Sequence, residues 1–517
     1  MPPRRILLLA LLGASALLCS CGGGGGTAPD PTPDPIVGPA WWGLGRDAQH
    51  SAQGAVATQA LSRVRWSAAL DLAPQYSGGD LLIHYGSPVI SARNTVLIPV
   101  KTGATDGFRI EARAGATGNL IWSVASDYVL PAHSWTPSYN LVLTQGNRLY
   151  APGAGGRLLL RDDPDAASGT VQSSVFYGSA TYAASKAAFD ASVFINTPLT
   201  ADSAGNLFFG FIVTGANPAG LVSGVARIGA DGTGTWVAAS AAAADGSISK
   251  VAMNSAPALS IDRATVYVTV NTAVAPGVRQ TGYLLALDSS TLATKGRVRL
   301  IDPLSATPAW ISDNASSSPT VGPDGDVYIG VLEANAPAHN FRGWLLHFNA
   351  TLALSRPAGS FGWDITPSIV PASMLPGYSG GSSYLVMTKY NNYAGTGTGD
   401  GLNRVAVLDP NQTQLDFISG NPVMKEILTI LGPTPDPGHV GGITEWCINT
   451  AAVDPFTRSI LVNSEDGYLY RWDMVSNRFT ERLQLGTPLG AAYTPTAIGP
   501  DGAVYAVNNA TLFSIGR

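Results

Sequence analysis

One pattern constrains the fold of this chain more than any other. Residues Ser318 to Val331 read SPTVGPDGDVYIGV, and the pattern returns near the C-terminus as TPTAIGPDGAVYAV over Thr494 to Val507. Each copy is a small residue and a proline, a short apolar strand, a tight Pro-Asp-Gly turn, then a β-branched and aromatic strand. Two such copies far apart point to a repeat architecture.

The opening of the pattern, a small residue followed by Pro, recurs along the chain. It stands at Ser87-Pro88, Thr136-Pro137, Thr197-Pro198, Ala256-Pro257, Ser318-Pro319, Thr366-Pro367 and Thr494-Pro495, and Thr450-Ala451 keeps the phase without the proline. A proline is tolerated at the first residue of a strand, where its missing N–H breaks no ladder bond. A second strand follows each marker, and in the clearer copies a hairpin completes the module. The best hairpin runs from Phe108 to Trp122; others are expected at Leu284–Leu300, Trp344–Arg356, Val405–Phe417 and Leu469–Leu485. Four strands repeated eight times is the signature of an all-β propeller. The last module has three strands, and the missing fourth is available in Ser62 to Leu70, so pairing of the two termini would close the ring and remove exposed edges. The irregular seventh module leaves seven blades or a split arrangement open. No long segment carries helical periodicity; Tyr182 to Ala191 fits a turn or two.

Composition agrees with many short strands joined by turns. Of 517 residues, 59 are Gly and 36 Pro, and only 13% are charged, about half the usual ~25%. The net charge of −5, without a basic run beyond Arg4-Arg5, argues against nucleic acid as a partner.

The N-terminus reads as a targeting segment. Arg4 and Arg5 precede an apolar run from Ile6 to Leu18, too short to span a bilayer. The following Leu18-Cys19-Ser20-Cys21-Gly22 resembles the lipobox of bacterial lipoproteins, with Cys21 as the lipidated residue. The resemblance implies a membrane partner through the lipid anchor, and localisation in the bacterial cell envelope at the outer membrane. Residues 1–21 are then signal peptide and acceptor, 22–40 a Gly- and Pro-rich tether, and 41–517 a single propeller domain. Only Cys447 would remain as a free thiol, so no intrachain disulfide framework is expected, and beside Trp446 it reads as a buried small hydrophobe.

The hairpin Ala112 to Trp122, ARAGATGNLIW, resembles the tryptophan-docking repeat of the quinoprotein alcohol dehydrogenase-like superfamily. So does the preamble Trp42 to Ser51, WGLGRDAQHS, which is similar to the segment preceding such propellers. The superfamily holds pyrroloquinoline quinone enzymes and scaffold lipoproteins, so the likeness implies a fold more than a function. A quinone enzyme would need the quinone with Ca²⁺ or a similar cation. The vicinal Cys-Cys of many alcohol dehydrogenases of this type is absent, and no cofactor is expected.

Loop lengths place the site. The first-to-second and third-to-fourth turns are tight and share one face. Long second-to-third connections and blade links, such as Asn271–Gly282, Leu332–Gly343, Lys389–Asn403 and Ser419–Asn449, gather on the other, where function concentrates. The residues just ahead of each inner strand should rim that mouth: His84, Tyr85, His133, Trp135, Asn196, Asn254, Asp313, Asn314, Trp363, Asp364, Glu445, Trp446 and Tyr493. Lys101, Glu333 and Lys389, at the ends of second strands, could join them. Aromatics with His, Asn and acids suit a sugar or ring-shaped ligand; alternatively the aromatics wedge between blades and the polar groups satisfy loop backbone. His84, His133 and His439 lack metal-ligand spacing, and no metal site is expected. The expected role is a non-catalytic module binding an envelope protein or glycan. The alternative is a polysaccharide lyase or hydrolase, or a quinone-dependent dehydrogenase, acting at the same mouth.

Overall fold

The computed structural model describes residues 38–77, 80–81, 86–133, 139–273, 279–313, 317–446, 450–488 and 496–517. Eight antiparallel sheets of four or five strands follow one another along the chain, one per repeat, beside a two-stranded pairing of Tyr76–Ser77 with Asp80–Leu81. In the first blade the strands are Val89–Ile90, Thr95–Lys101, Phe108–Ala114 and Leu120–Ser126, paired in that order. The second strand is buried along its whole length, while the outermost alternates between buried and exposed, as expected when blades pack face to face around an axis. In the third and fourth blades the inner strand is split, with Val193–Ile195 and Thr200–Ala201 both pairing with Leu207–Val213 in the third.

The ring closes as the termini suggest. Arg63–Ala69 pairs antiparallel with Thr511–Gly516, making the N-terminal strand the outermost of the eighth blade. One hairpin expectation, in the sixth module, is corrected, and the seventh module forms a regular four-stranded sheet from Ala452–Asp454 to Arg478–Gln484. Val405–Phe417 is not a hairpin: Arg404–Leu415 is a single long strand, and its partner is Pro422–Leu431, inside the stretch expected to be a blade link. The apolar Val423 and Met424 are buried there. Short helices occur at Ser179–Ala184, Lys186–Asp190 and Ala239–Ala243.

The small residue of each marker has a physical role. At several markers, polar groups in the marker or two residues after it bond across to the next blade, while the Thr197 hydroxyl stays within its own blade. Ser318 Oγ accepts from the Ala256 N–H at 2.9 Å, and the Ser318 N–H donates to Thr366 Oγ1 at 3.0 Å. Ser368 Oγ donates to the Ala451 carbonyl at 2.6 Å, and the Thr496 N–H to the Thr450 carbonyl at 3.1 Å. These groups are buried, where each needs a partner, so the markers form a hoop of inter-blade hydrogen bonds.

The preamble runs inside that hoop. Trp41 pairs with Ile90 of the first blade in both directions at 2.9 Å. Its successors accept from inner strands in turn: Trp42 from Leu143, Ala48 from Leu259, Gln49 from Val321, Ser51 from Ile369 and Ala52 from Val453, at 2.7–3.0 Å. Residues 41–52 thus touch the inner strands of blades 1, 2, 4, 5, 6 and 7. So tight a circuit requires left-handed backbone at non-glycine positions, with φ of 74° at Arg46, 59° at His50 and 57° at Ala52, which side chains rarely adopt. Buried His50 anchors the turn by pairing with the Pro319 carbonyl at 2.7 Å, and burial lowers the pKa of its imidazole. Gly38 enters beside Ala92 and Pro500, at first-to-second-strand turns.

Candidate functional site

Loops on the long-connection face enclose a cavity of about 500 Å³ lined by residues from the fifth, sixth and seventh modules. The loop 332–343 is folded by Glu333, whose Oε1 accepts from the Phe341 and His339 N–H groups at 2.7 and 3.3 Å and whose Oε2 accepts from Gly343 at 2.9 Å. That leaves Phe341 exposed on the cavity wall. Asn340 ties this loop to 391–403 by donating to Asn392 Oδ1 at 2.9 Å and accepting from the Thr398 N–H at 2.9 Å. Asn403 then donates to the Ile443 carbonyl at 2.7 Å, which fixes the loop carrying Asp436, His439 and Glu445.

Four partly exposed aromatic rings line the cavity: Trp310, Phe341, Trp363 and Tyr393. Trp310 and Trp363 lie 5.8 Å apart between centroids, tilted by 33°, and Arg279 covers Trp310 at 5.2 Å. Trp310 is held by a two-way bridge to Leu332 at 3.0 Å, extending the fifth blade beyond its inner strand. At the floor, buried Lys389 and Asp364 form a close ion pair. Burial pushes the Asp364 carboxyl up against the opposing pull of Lys389. Glu445 is half-buried, and no hydrogen bond or ion pair to it occurs among the described residues. Burial raises its pKa to about 7, opposed by Lys389 and reinforced by Asp364 and Asp436. His439 Nδ1 and Asp436 Oδ2 pair at 2.8 Å at the rim.

Of the residues expected to rim the mouth, the fold brings Trp363, Asp364 and Glu445 together here, with Lys389. The others described serve the scaffold. Asn196 donates to the Val251 carbonyl at 2.9 Å, and Asn254 to the Asp313 carbonyl at 3.3 Å, joining neighbouring blades. Asp313 takes Lys250 at 2.6 Å on Oδ2, together with Asn271, Gln280 and the Met253 N–H. Burial would raise its pKa, yet Lys250 and these donors hold it below the usual carboxylate range. Lys101 is likewise taken by Asp71 at 3.1 Å, and Glu333 by its own loop. Trp446 is an inter-blade wedge, packed on Tyr470 and Phe479. Exposed His133 pairs with the Pro131 carbonyl at 2.6 Å in its own loop. Cys21, His84, Tyr85, Trp135, Asn314, Cys447 and Tyr493 lie outside the described residues.

Phe341, Tyr393 and Asp436 escaped the sequence reading because they sit inside long loops, and Trp310 because it stands further ahead of the fifth inner strand than the residues read as the rim. Their signal was weaker: aromatics in otherwise polar loops. A second polar cluster, His339, Ser360 and Asp416, has the composition of a nucleophilic triad without its order. His339 presents the same Nε2 to Asp416 at 3.2 Å and to Ser360 at 3.4 Å, its Nδ1 is taken by the Gly343 carbonyl at 3.0 Å, and all three residues are buried.

Solved structures share this architecture. A europium-containing methanol dehydrogenase is similar with a TM-score of 0.57 at 9% identity, covering 90% of this chain and 88% of that one. The quinohemoprotein alcohol dehydrogenase from Comamonas testosteroni gives 0.55 at 12% identity, covering 93% and 81%. This chain shares their β-propeller fold. BamB from Moraxella catarrhalis, at 12% identity over 87% of this chain and 98% of that one, scores 0.42, too distant to carry an argument. No protein-family model matches the sequence, and no curated protein matches it.

Among the described residues, the carboxylates Asp71, Asp313, Asp364 and Glu333 do not fit a divalent cation of the kind that holds a quinone. Such a cation needs several free oxygens. Asp71, Asp313 and Asp364 are each taken by a lysine, and Glu333 by backbone N–H groups. Among the described residues, no group of three His, Cys, Asp or Glu side chains is placed to hold a metal.

Proposed function

We propose that this protein is a non-catalytic binding propeller, anchored in the bacterial envelope through Cys21, whose long-loop cavity holds a ring of a glycan partner. The observation that carries the reading is the cavity itself: four partly exposed aromatic rings around a floor of charged and polar groups. Flat apolar faces with a few placed polar groups suit a sugar ring, whose C–H face stacks while its hydroxyls bond. The buried Lys389–Asp364 pair supports binding over turnover, because each partner is already engaged by the other.

The test is calorimetric titration of the purified chain with neutral and charged oligosaccharides, beside the Trp310→Ala and Trp363→Ala variants. Each lost ring is expected to weaken binding by roughly tenfold, the equivalent of about 1.4 kcal/mol. Absence of glycan binding at millimolar concentration, or binding indifferent to both variants, overturns the reading. One observation favours glycan cleavage instead. Glu445, with a pKa raised to about 7, has the protonation behaviour of a general acid. Turnover of a bound oligosaccharide that Glu445→Gln abolishes would replace the binding reading with that one.

A further inference from the structure

The charge balance of the cavity specifies its ligand more narrowly than its shape does. Lys389 and Asp364 neutralise one another on the floor. Asp436 and His439 pair with each other at the rim. Glu445 is left over: a carboxyl half-buried on an aromatic-lined wall, without a hydrogen bond or cation partner among the described residues. These four groups are the charged neighbours that act on it, and none offers it a free positive charge. A desolvated carboxylate without a partner is costly, and aromatic rings attract a cation over their faces, as Trp310 already does Arg279 at 5.2 Å.

We propose that the glycan unit seated in this cavity carries an ammonium group, as a deacetylated amino sugar does, and that Glu445 is its counter-ion. The inference rests on the glycan reading above. On binding, the Glu445 carboxyl gives its proton to solvent, and the resulting carboxylate pairs with the ligand's ammonium among the rings. No covalent bond forms or breaks. Lys389 does not repel the incoming charge strongly, because Asp364 neutralises it. The proton released makes affinity rise with pH below about 7, until the ligand amine itself deprotonates.

Three probes separate this inference from the reading it rests on: chitosan hexamer, its fully N-acetylated counterpart, and neutral cellohexaose. Titration at pH 6.5 in two buffers of different ionisation heat measures both affinity and proton release. The chitosan hexamer is expected to bind roughly tenfold more tightly than the acetylated one, with net release of protons. Glu445→Gln should abolish that preference and the proton release. Equal affinity for the charged and acetylated hexamers, or a preference that survives Glu445→Gln, overturns the ammonium assignment even if Trp310 and Trp363 still govern binding. Binding of none of the probes fails the glycan reading, and this inference with it. Denaturant unfolding of Glu445→Gln at pH 6.5 reports whether the variant is folded, so a lost preference is not read from an unfolded chain.

Discussion

Gly118 lies against the indole of Trp66: a Cβ at Gly118 would stand 2.7 Å from the ring, and φ there is +74°. The same indole donates from Nε1 to the Gly115 carbonyl at 2.8 Å, so the outermost strand of the eighth blade docks on the third hairpin turn of the first. Trp122 repeats the contact one blade on, donating to the Pro164 carbonyl at 2.7 Å. Gly118→Ala should therefore cost about 2–4 kcal/mol, from left-handed strain and overpacking together. Denaturant unfolding of the purified variant measures it. A loss below a few tenths of a kcal/mol would mean the closing contact is not under tension at this point.

The inter-blade hoop makes a second prediction. Thr366→Val removes the acceptor of the buried Ser318 N–H while keeping the shape of the side chain. An orphaned buried donor costs about 1–3 kcal/mol. Thr366→Ser, which restores the hydroxyl, should recover most of that loss in the same unfolding assay.

Breaking the floor of the cavity by removing one charge should be costly, and removing both should not. Lys389→Met strands a buried Asp364 carboxylate and should destabilise the fold by about 3–5 kcal/mol. The double variant Lys389→Met with Asp364→Leu removes both charges and should regain most of it. A double-mutant cycle showing no coupling would deny the pair.

Glu445 links stability to pH. Its pKa in the folded chain is about 7, above the ordinary 4.5, so folding favours its protonated form. That contribution is fully present below pH 4.5 and is lost as pH rises through 7. Between pH 5 and 8, Glu445→Gln should gain about 1–2 kcal/mol relative to the parent chain, allowing for solvent screening of a half-buried group. Parallel unfolding curves at the two pH values measure the difference; a constant offset would contradict it.

Anchoring is tested by fractionation. Cys21→Ala should move the protein from the membrane pellet to the soluble fraction, since stable attachment needs the acyl chains. Undiminished membrane retention would refute lipidation at this residue.

The blades were legible in the sequence because strand, turn and strand repeat in one phase, and because Trp66 and Trp122 mark equivalent strands. Residues 405–417 misled for a physical reason. Asp409, Pro410 and Asn411 look like a turn, yet they form an irregularity within one strand, where Asp409 accepts from the Ser382 hydroxyl and the Asn411 N–H. The cavity was half legible. Trp363, Asp364 and Glu445 stand at the predicted rim position, ahead of inner strands. Phe341 and Tyr393 reach it only because Glu333 and Asn340 fold their loops, and such long-range hydrogen bonds leave no local pattern. Periodicity likewise could not separate Asp364, beside a cavity, from Asp313, consumed by Lys250.

The preamble has a consequence for the order of assembly. Residues 41–52 are made before every blade they bond to, yet their partners extend as far along the chain as Val453. This earliest-made stretch of the described chain cannot complete its contacts until the seventh blade exists, and closure through Arg63–Ala69 waits for the final strand. Such non-local pairing is slow because loop closure must come before the contacts that reward it. The ribosome therefore releases a row of blades before it releases a ring, and the first residues of the propeller to be synthesised are among the last to settle.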